Sequence, residues 1–430
     1  MKTIITNATI ITVNDQDEVL TNAAIAFEGD TITYVGPTPE DLSGYDEVVD
    51  GRNKYVLPGL VNTHGHVAMS LLRGYADDVP LQEWLENHMW PKEAQFTPEH
   101  VKWGTNISMI EMIRTGTTTF VDMYDHMDEV AKATVEAGMR ARLCRGVIGF
   151  CSDEERKAKL DEATRFAREW NGEAGGRITT MMSPHAPYTC TPDYITQILE
   201  KAVELDLPMH IHMSETAWEV AQNEKDYGVR PVAHLENLGV FNRPTLVAHA
   251  VHLTDEEIDI LAKYDVKVSH NIVSNLKLAS GVARVPQMLA KGVTVSLGTD
   301  SSASNNNLNL FEELKLVAIL HKGVNFDPLA VPATEALRMA TRYGADALFQ
   351  ADKFGSLEVG KQADIIMMDT MQAHLHPAHD PVSHIVYAAN GRDVSDSIVA
   401  GKFIMRKGEL LTVDEEKAIF EVNRMFGQLT

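Results

Sequence analysis

Cysteine is sparse in this 430-residue chain: Cys144, Cys151 and Cys190 share no C-x-x-C spacing and cannot all pair. Neither a disulfide framework nor a thiolate metal site is indicated, and unpaired thiols suit a reducing compartment, so a cytoplasmic location is expected. Positive charge is in deficit too, with 38 Lys and Arg against 61 Asp and Glu, a formal net charge of −23. A surface that negative repels phosphate backbones and anionic lipid, which argues against a nucleic-acid polymer or a membrane as partner. It leaves a small substrate open, because local field rather than net charge governs that encounter. Long hydrophobic runs are missing as well. No stretch reaches the ~18 apolar residues that span a bilayer. The opening MKTIITNATIITVNDQ interrupts Ile and Val with Thr and Asn, a strand pattern rather than the apolar stretch of a signal peptide. Tandem repeats and low-complexity tracts are absent.

What is present divides into three zones. Up to about Asp50, short apolar runs (Ile4-Ile5, Ile10-Ile11, Ile25 to Phe27, Ile32 to Val35) alternate with turn residues such as Glu28-Gly29-Asp30. That pattern predicts a small antiparallel unit. From about Tyr55 to Phe349 strands and helices alternate. Helix starts are marked at Thr97-Pro98 and Thr191-Pro192, and by the capping boxes Ser152…Glu155 and Thr254…Glu257. Apolar runs at about 56–62, 117–122, 141–147, 177–183, 208–213, 245–249, 266–270 and 293–298 supply eight strands, each followed by helical sequence. This matches a (β/α)₈ barrel of the TIM type better than an open sheet. After Gly355 strands return at Ala363 to Met368, Ile385 to Tyr387 and Ile398-Val399, with a last helix after Thr412. The two end zones are too small to bury separate cores. They are expected to pack together as one discontinuous β-sandwich, residues 1–55 with 356–430, beside a barrel over 56–355.

In such a barrel the chemistry sits at the C-terminal ends of the strands. Strand one ends in His64-Gly65-His66, where two histidines two apart share a side and Gly65 lets the backbone pass closely. Strand five ends His210-Ile211-His212-Met213-Ser214-Glu215. Spacing does not choose between His210 and His212; the latter is nearer the strand end and is preferred, with His210 as a buried supporting residue. Strand six ends at His249 and strand eight at Thr299-Asp300. Each residue alone reads as a loop histidine or a turn aspartate. Imidazoles and a carboxylate arriving together at one mouth form a donor set suited to Zn²⁺.

Further motifs are LPGLVNTHGH (57–66), MSLLRG (69–74), WPKE (90–93), SPHAPY (183–188), HIHMSE (210–215), SNLKL (274–278), TD (299–300) with ASNN (303–306), and GSLEVGKQAD (355–364). On these the chain resembles the amidohydrolase superfamily, and within it the 5′-methylthioadenosine/S-adenosylhomocysteine deaminases. The resemblance implies one Zn²⁺ per subunit, with iron or manganese as alternatives on the same ligands, held by His64, His66, His212 and Asp300. It implies catalytic roles for Glu215, His249 and Asp300, and substrate contacts from Glu93, Arg145 and His185 as well as Glu215 and Asp300. It also implies a second cation for the amino-acid tail of S-adenosylhomocysteine, for which Arg156 is the expectation. The substrate is then a purine nucleoside with water as co-substrate, and a homo-oligomer is compatible with all of this. Two positions depart from the family pattern: Gly65 replaces a usual Thr, and Ile272 a usual Pro. Two-metal relatives carry a lysine at the end of strand four; here the segment reads TTMMSPH (179–185), which predicts a single metal.

The rival enzyme readings keep the site and change the substrate, to guanine or to an s-triazine losing chloride or an amine. A non-enzymatic scaffold would show eroded ligands, and none is missing. Glu215 has a bland reading as a carboxylate that caps a helix start, Glu93 as a solvated surface acid, and Arg145 as half of a rim salt bridge.

Overall fold

The computed structural model describes residues 1–427. Eight parallel strands form the barrel: β1 (Leu60–Asn62), β2 (Thr117–Tyr124), β3 (Arg140–Val147), β4 (Ile178–Thr180, continued by Ser183–Pro184), β5 (Met209–Met213), β6 (Thr245–His249), β7 (Lys267–His270) and β8 (Val295–Leu297). Ladders join β1 through β4 and β5 through β8. A parallel bridge between Met182 and Met209 links β4 to β5, and the Thr63 amide donates to the Leu297 carbonyl at 3.0 Å beside β1 and β8. The ring is closed.

Each strand leads into a helix: α1 (Pro98–Arg114), α2 (Met127–Ala137), α3 (Asp153–Trp170), α4 (Pro192–Glu204), α5 (Ala217–Tyr227), α6 (Asp255–Lys263), α7 (Val285–Ala290) and α8 (Leu310–Asn325). The expected caps form. Thr97, Ser152, Thr191 and Thr254 each accept from a backbone N–H in the first turn, satisfying donors that have no partner inside the helix. Gly138 closes α2 in the left-handed conformation.

The N-terminal mouth of the barrel is plugged. Val61, Val121, Cys144 and Leu246 from the strands share an apolar cluster with Ala345, Leu348 and Phe354. At the strand starts Lys267 pairs with Asp346 at 2.8 Å, and Arg142 donates to the Leu348 carbonyl. Only the C-terminal mouth remains for a ligand.

The two ends of the chain meet in one nine-stranded sheet. Lys54–Pro58 lies parallel to Lys2–Ile11 on one side and antiparallel to Ile365–Asp369 on the other. The sheet folds back on itself: Thr31 bridges Gln362, and the Ile32 amide donates to Lys361 at 2.7 Å. Ile5, Ile10, Ile25, Phe27, Val56, Ile365 and Ile398 fill its interior. A buried ion pair ties this unit to the barrel, with Arg140 Nε at the start of β3 lying 2.6 Å from Asp364 Oδ2.

Two expected strands differ. The run over 56–62 is two strands, because Gly59 separates the sheet strand Lys54–Pro58 from β1. Residues Ile385 to Tyr387 are helical, within a π-turn over His384–Ala388. The Asp380 carboxylate accepts from the Val382 and Ser383 amides, with Pro381 at the first helical position, so capping overrides a three-residue apolar run. Among the described residues no helix is long and apolar enough to cross a membrane.

Candidate active site

Backbone pairing sets the first histidines in place. His64 and His66 follow β1, stitched between the Asp300 amide, which donates to the His64 carbonyl (3.0 Å), and the Met123 amide, which donates to Gly65 (3.1 Å). A Cβ at position 65 would lie 3.5 Å from its nearest neighbours, ordinary contact. The expected close passage at Gly65 is therefore not what holds this turn.

The ring nitrogens are sorted by their partners. His66 Nδ1 faces the Met123 carbonyl at 2.6 Å, His212 Nδ1 the His185 carbonyl at 2.7 Å, and His210 Nδ1 the Leu246 carbonyl at 2.9 Å. A carbonyl only accepts, so each Nδ1 carries the proton. His210 Nε2 is then an acceptor, and it receives His64 Nδ1 at 2.9 Å. Three Nε2 lone pairs, from His64, His66 and His212, converge with their ligating atoms within 4.8 Å of one another. His64 Nε2 is buried with no hydrogen-bond partner. Burial, reinforced by the neighbouring imidazoles, holds His64 and His212 well below the usual histidine range, and His210 drops to about 4 for the same first reason. Neutral imidazoles with free Nε2 atoms are what a metal requires.

Asp300 completes the set. Its Oδ2 accepts from Ser274 Oγ (2.6 Å) and Ser304 Oγ (2.9 Å), leaving Oδ1 at 3.6 Å from His64 Nε2 and 3.4 Å from His66 Nε2. His249 is different. The Asn275 amide nitrogen stands 2.8 Å from its Nδ1, which makes Nδ1 the acceptor and puts the proton on Nε2, 3.6 Å from Glu215 Oε2. It presents a donor to the site, not a lone pair. Ser214, His249, Ala250 and Asp300 all have positive φ, between 48° and 75°.

Glu215 does not cap α5. Thr216 accepts the Glu219 amide, and the Glu219 carboxylate takes the Ser214 and Glu215 amides at 2.8 Å each. The Glu215 side chain is left for the cavity, and burial, with Asp300 and Glu219 nearby, raises its pKa well above the carboxylate range. It holds a proton.

A cavity of about 460 Å³ opens over these groups. Glu93 lines it, on the short helix Trp90–Glu93, and its Oε1 accepts from Tyr124 Oη at 2.5 Å. His185 lines it with Nδ1 3.0 Å from Thr189 Oγ1, and burial pushes its pKa down to about 3. Arg145 lines it too, between Glu162 (3.2 Å) and Asp125 (3.1 Å). The walls are Trp84, Trp90, Phe96 and Phe150. Arg156 does not line the cavity; it turns to Asp153 and the Gly149 carbonyl. Lys159, three residues further on, does line the cavity, with Nζ 3.2 Å from the Ile148 carbonyl. Tyr124, Asp125, Lys159 and Asn275 escaped sequence reasoning, although Asn275 lies within the SNLKL motif, Tyr124 ends the second strand and Asp125 follows it.

A model of the amidohydrolase family matches residues 55–404. The chain belongs to the amidohydrolase family. Over 424 residues this amidohydrolase is 48% identical to the 5-methylthioadenosine/S-adenosylhomocysteine deaminase of Thermoanaerobacter pseudethanolicus, covering 99% of this chain and 98% of that one. The enzyme of the same description from Halalkalibacterium halodurans is also 48% identical, over 100% and 99%. Among solved structures, a zinc-bound adenosine deaminase from Xanthomonas campestris superposes with a TM-score of 0.94 at 36% identity, covering 99% and 98%. A zinc-complexed atrazine chlorohydrolase from Arthrobacter aurescens reaches 0.92 at 26%, covering 99% and 100%. The amidohydrolase is a hydrolase of C–N bonds, and its histidine–aspartate centre suits a divalent metal.

Proposed function

We propose that the protein hydrolytically deaminates adenosine-type nucleosides, 5′-methylthioadenosine and S-adenosylhomocysteine, with one Zn²⁺ per chain held by His64, His66, His212 and Asp300. The observation that carries this reading is Glu215: a buried carboxyl beside that ligand set, 3.6 Å from His249 Nε2 and free of any capping duty. A zinc ion held by these residues would supply Lewis acidity, lowering the pKa of water toward neutrality. Glu215 gives its proton to a ring nitrogen of adenine as water adds at C6, so negative charge does not build up on the ring. Asp300, both ligand and base, takes the water proton and delivers it to the departing amine. His249 Nε2–H steadies the incoming oxygen. As the C6–N bond breaks, the proton left on the C6 oxygen passes to the Glu215 carboxylate, which restores Glu215 and forms the carbonyl, and ammonia and the inosine analogue leave.

Glu93 favours nucleosides over the rivals. Its carboxylate, oriented by Tyr124, can accept from two ribose hydroxyls, and neither guanine nor an s-triazine has them to offer. Arg145 and Lys159 at the mouth suit the carboxylate of an amino-acid tail. The same reading places the enzyme in the cytoplasm and assigns catalysis to the barrel, residues 56–355, with 1–55 and 356–430 as the companion unit. The test is metal content measured alongside ammonia release: about one equivalent per chain, with activity lost on chelation and restored by zinc. Two equivalents, both needed for turnover, would contradict it.

A further inference from the structure

Four carboxylates line the cavity: Glu93, Asp125, Glu215 and Asp300. Three have duties already. Glu93 is bonded to Tyr124, Glu215 is buried with Oε2 3.6 Å from His249 Nε2, and Asp300 faces the imidazoles. Asp125 is the exception. Its side chain is 50% exposed at the mouth, directly after β2. Its Oδ1 accepts from the His126 amide at 2.7 Å, and its Oδ2 lies 3.1 Å from Arg145 Nη2.

The simplest account of Asp125 is that it aims Arg145. The arginine, however, has anchors without it: Nε meets Glu162 Oε2 at 3.2 Å and Nη1 donates to the Gly146 carbonyl. Glu162 does not line the cavity, whereas Asp125 does. The mouth therefore presents a carboxylate directly beside a guanidinium, both open to the same space. That is the complement of a zwitterion. An α-amino acid carries its ammonium and its carboxylate on one carbon, so a matching receptor needs opposite charges at neighbouring positions, as this salt bridge supplies them.

We propose that Asp125 is a specificity-determining residue that receives the α-ammonium of an amino-acid tail at the 5′ end of the nucleoside, while Arg145 and Lys159 receive the carboxylate. This rests on the deaminase reading and adds to it a requirement for the amino group. A tail bearing the carboxylate alone meets the repulsion of Asp125 as well as the attraction of Arg145, and gains less than the zwitterion. Because Asp125 is half exposed, water screens the contact, and the effect belongs at the modest end of the range for charged hydrogen bonds.

The experiment compares S-adenosylhomocysteine with its analogue bearing hydrogen in place of the α-ammonium. Each is measured as kcat/KM for ammonia release relative to methylthioadenosine in the same preparation, which corrects for the folded, metal-loaded fraction. The wild-type enzyme should favour S-adenosylhomocysteine over the analogue, and Asp125→Asn should lower that preference about three- to tenfold, chiefly through KM. Added salt should erode the wild-type preference more than that of the variant. An unchanged preference in Asp125→Asn would overturn the assignment. So would an equal loss on both tailed substrates relative to methylthioadenosine, because Asp125 would then merely aim Arg145. Wild-type enzyme that releases no ammonia from any of the three would overturn the deaminase reading and the ammonium site with it; turnover without the preference would overturn the site alone.

Discussion

At the scale of single residues, the site depends on which nitrogen or oxygen is left over once local partners are satisfied. Carbonyls claim Nδ1 of His66 and His212, and His210 claims Nδ1 of His64, so all three turn Nε2 inward. Asn275 does the reverse for His249. Sequence spacing brought these residues to one mouth, but it holds no information on tautomers, which depend on carbonyls contributed by other strands. Glu215→Gln should keep the metal and lose roughly 10²–10⁴-fold in rate, because the amide preserves the shape and cannot transfer a proton; metal analysis beside steady-state kinetics checks both halves. Near-normal turnover would return Glu215 to a structural role.

A second residue contributes to the pH dependence of stability. Burial lifts the Asp122 carboxyl from 3.8 to about 7, against the Val67 amide and His66, which pull it down. Its Oδ2 is buried with no partner, which also favours the protonated form. The unfolded chain ionises this group near 3.8, so its stabilising contribution is complete below that pH and is lost as pH rises through about 7. Asp122→Asn removes the titration. Thermal unfolding from about pH 5 to pH 8.5 should therefore cost the variant less stability than the wild type, by on the order of 2–4 kcal/mol. Parallel pH profiles would show that Asp122 is ionised throughout.

At the scale of elements, the eight barrel strands and the four helix starts were legible because each rests on local chemistry: apolar runs of strand length, and Ser or Thr placed to cap. Failures arose where the deciding partner lies far along the chain. The run over 56–62 looks continuous, but its first half pairs with Ile365–Asp369, more than 300 residues away. Arg156 and Lys159 both lie on α3, and which of them faces the cavity depends on the helix's rotation against the barrel, a tertiary property. Gly59 marks the junction between sheet and barrel. A Cβ there would lie 2.0 Å from Thr118 Oγ1, so one of two hydrogen-bonded strands would have to move. Gly59→Ala should destabilise the fold by about 1–3 kcal/mol in denaturant titrations. An unaltered midpoint would mean that the junction is looser than its packing indicates.

At the scale of the whole molecule, the arrangement separates stability from chemistry. The N-terminal mouth is sealed by Lys267, Asp346 and Arg142, and the companion sheet is fastened through Arg140 and Asp364. All of these lie on the side of the barrel away from the metal ligands. The opposite mouth carries the buried carboxyl of Glu215 and the converging imidazoles, buried polar groups of the kind that gather where a reaction is served. What that reaction acts on is decided by Glu93 and the ribose it would hold. The most direct measurement is kcat/KM for ammonia release by the zinc-loaded protein on methylthioadenosine, S-adenosylhomocysteine and free guanine. Both nucleosides should exceed guanine by at least about tenfold, the worth of one hydrogen bond to a charged group. Guanine outrunning both nucleosides would contradict the account.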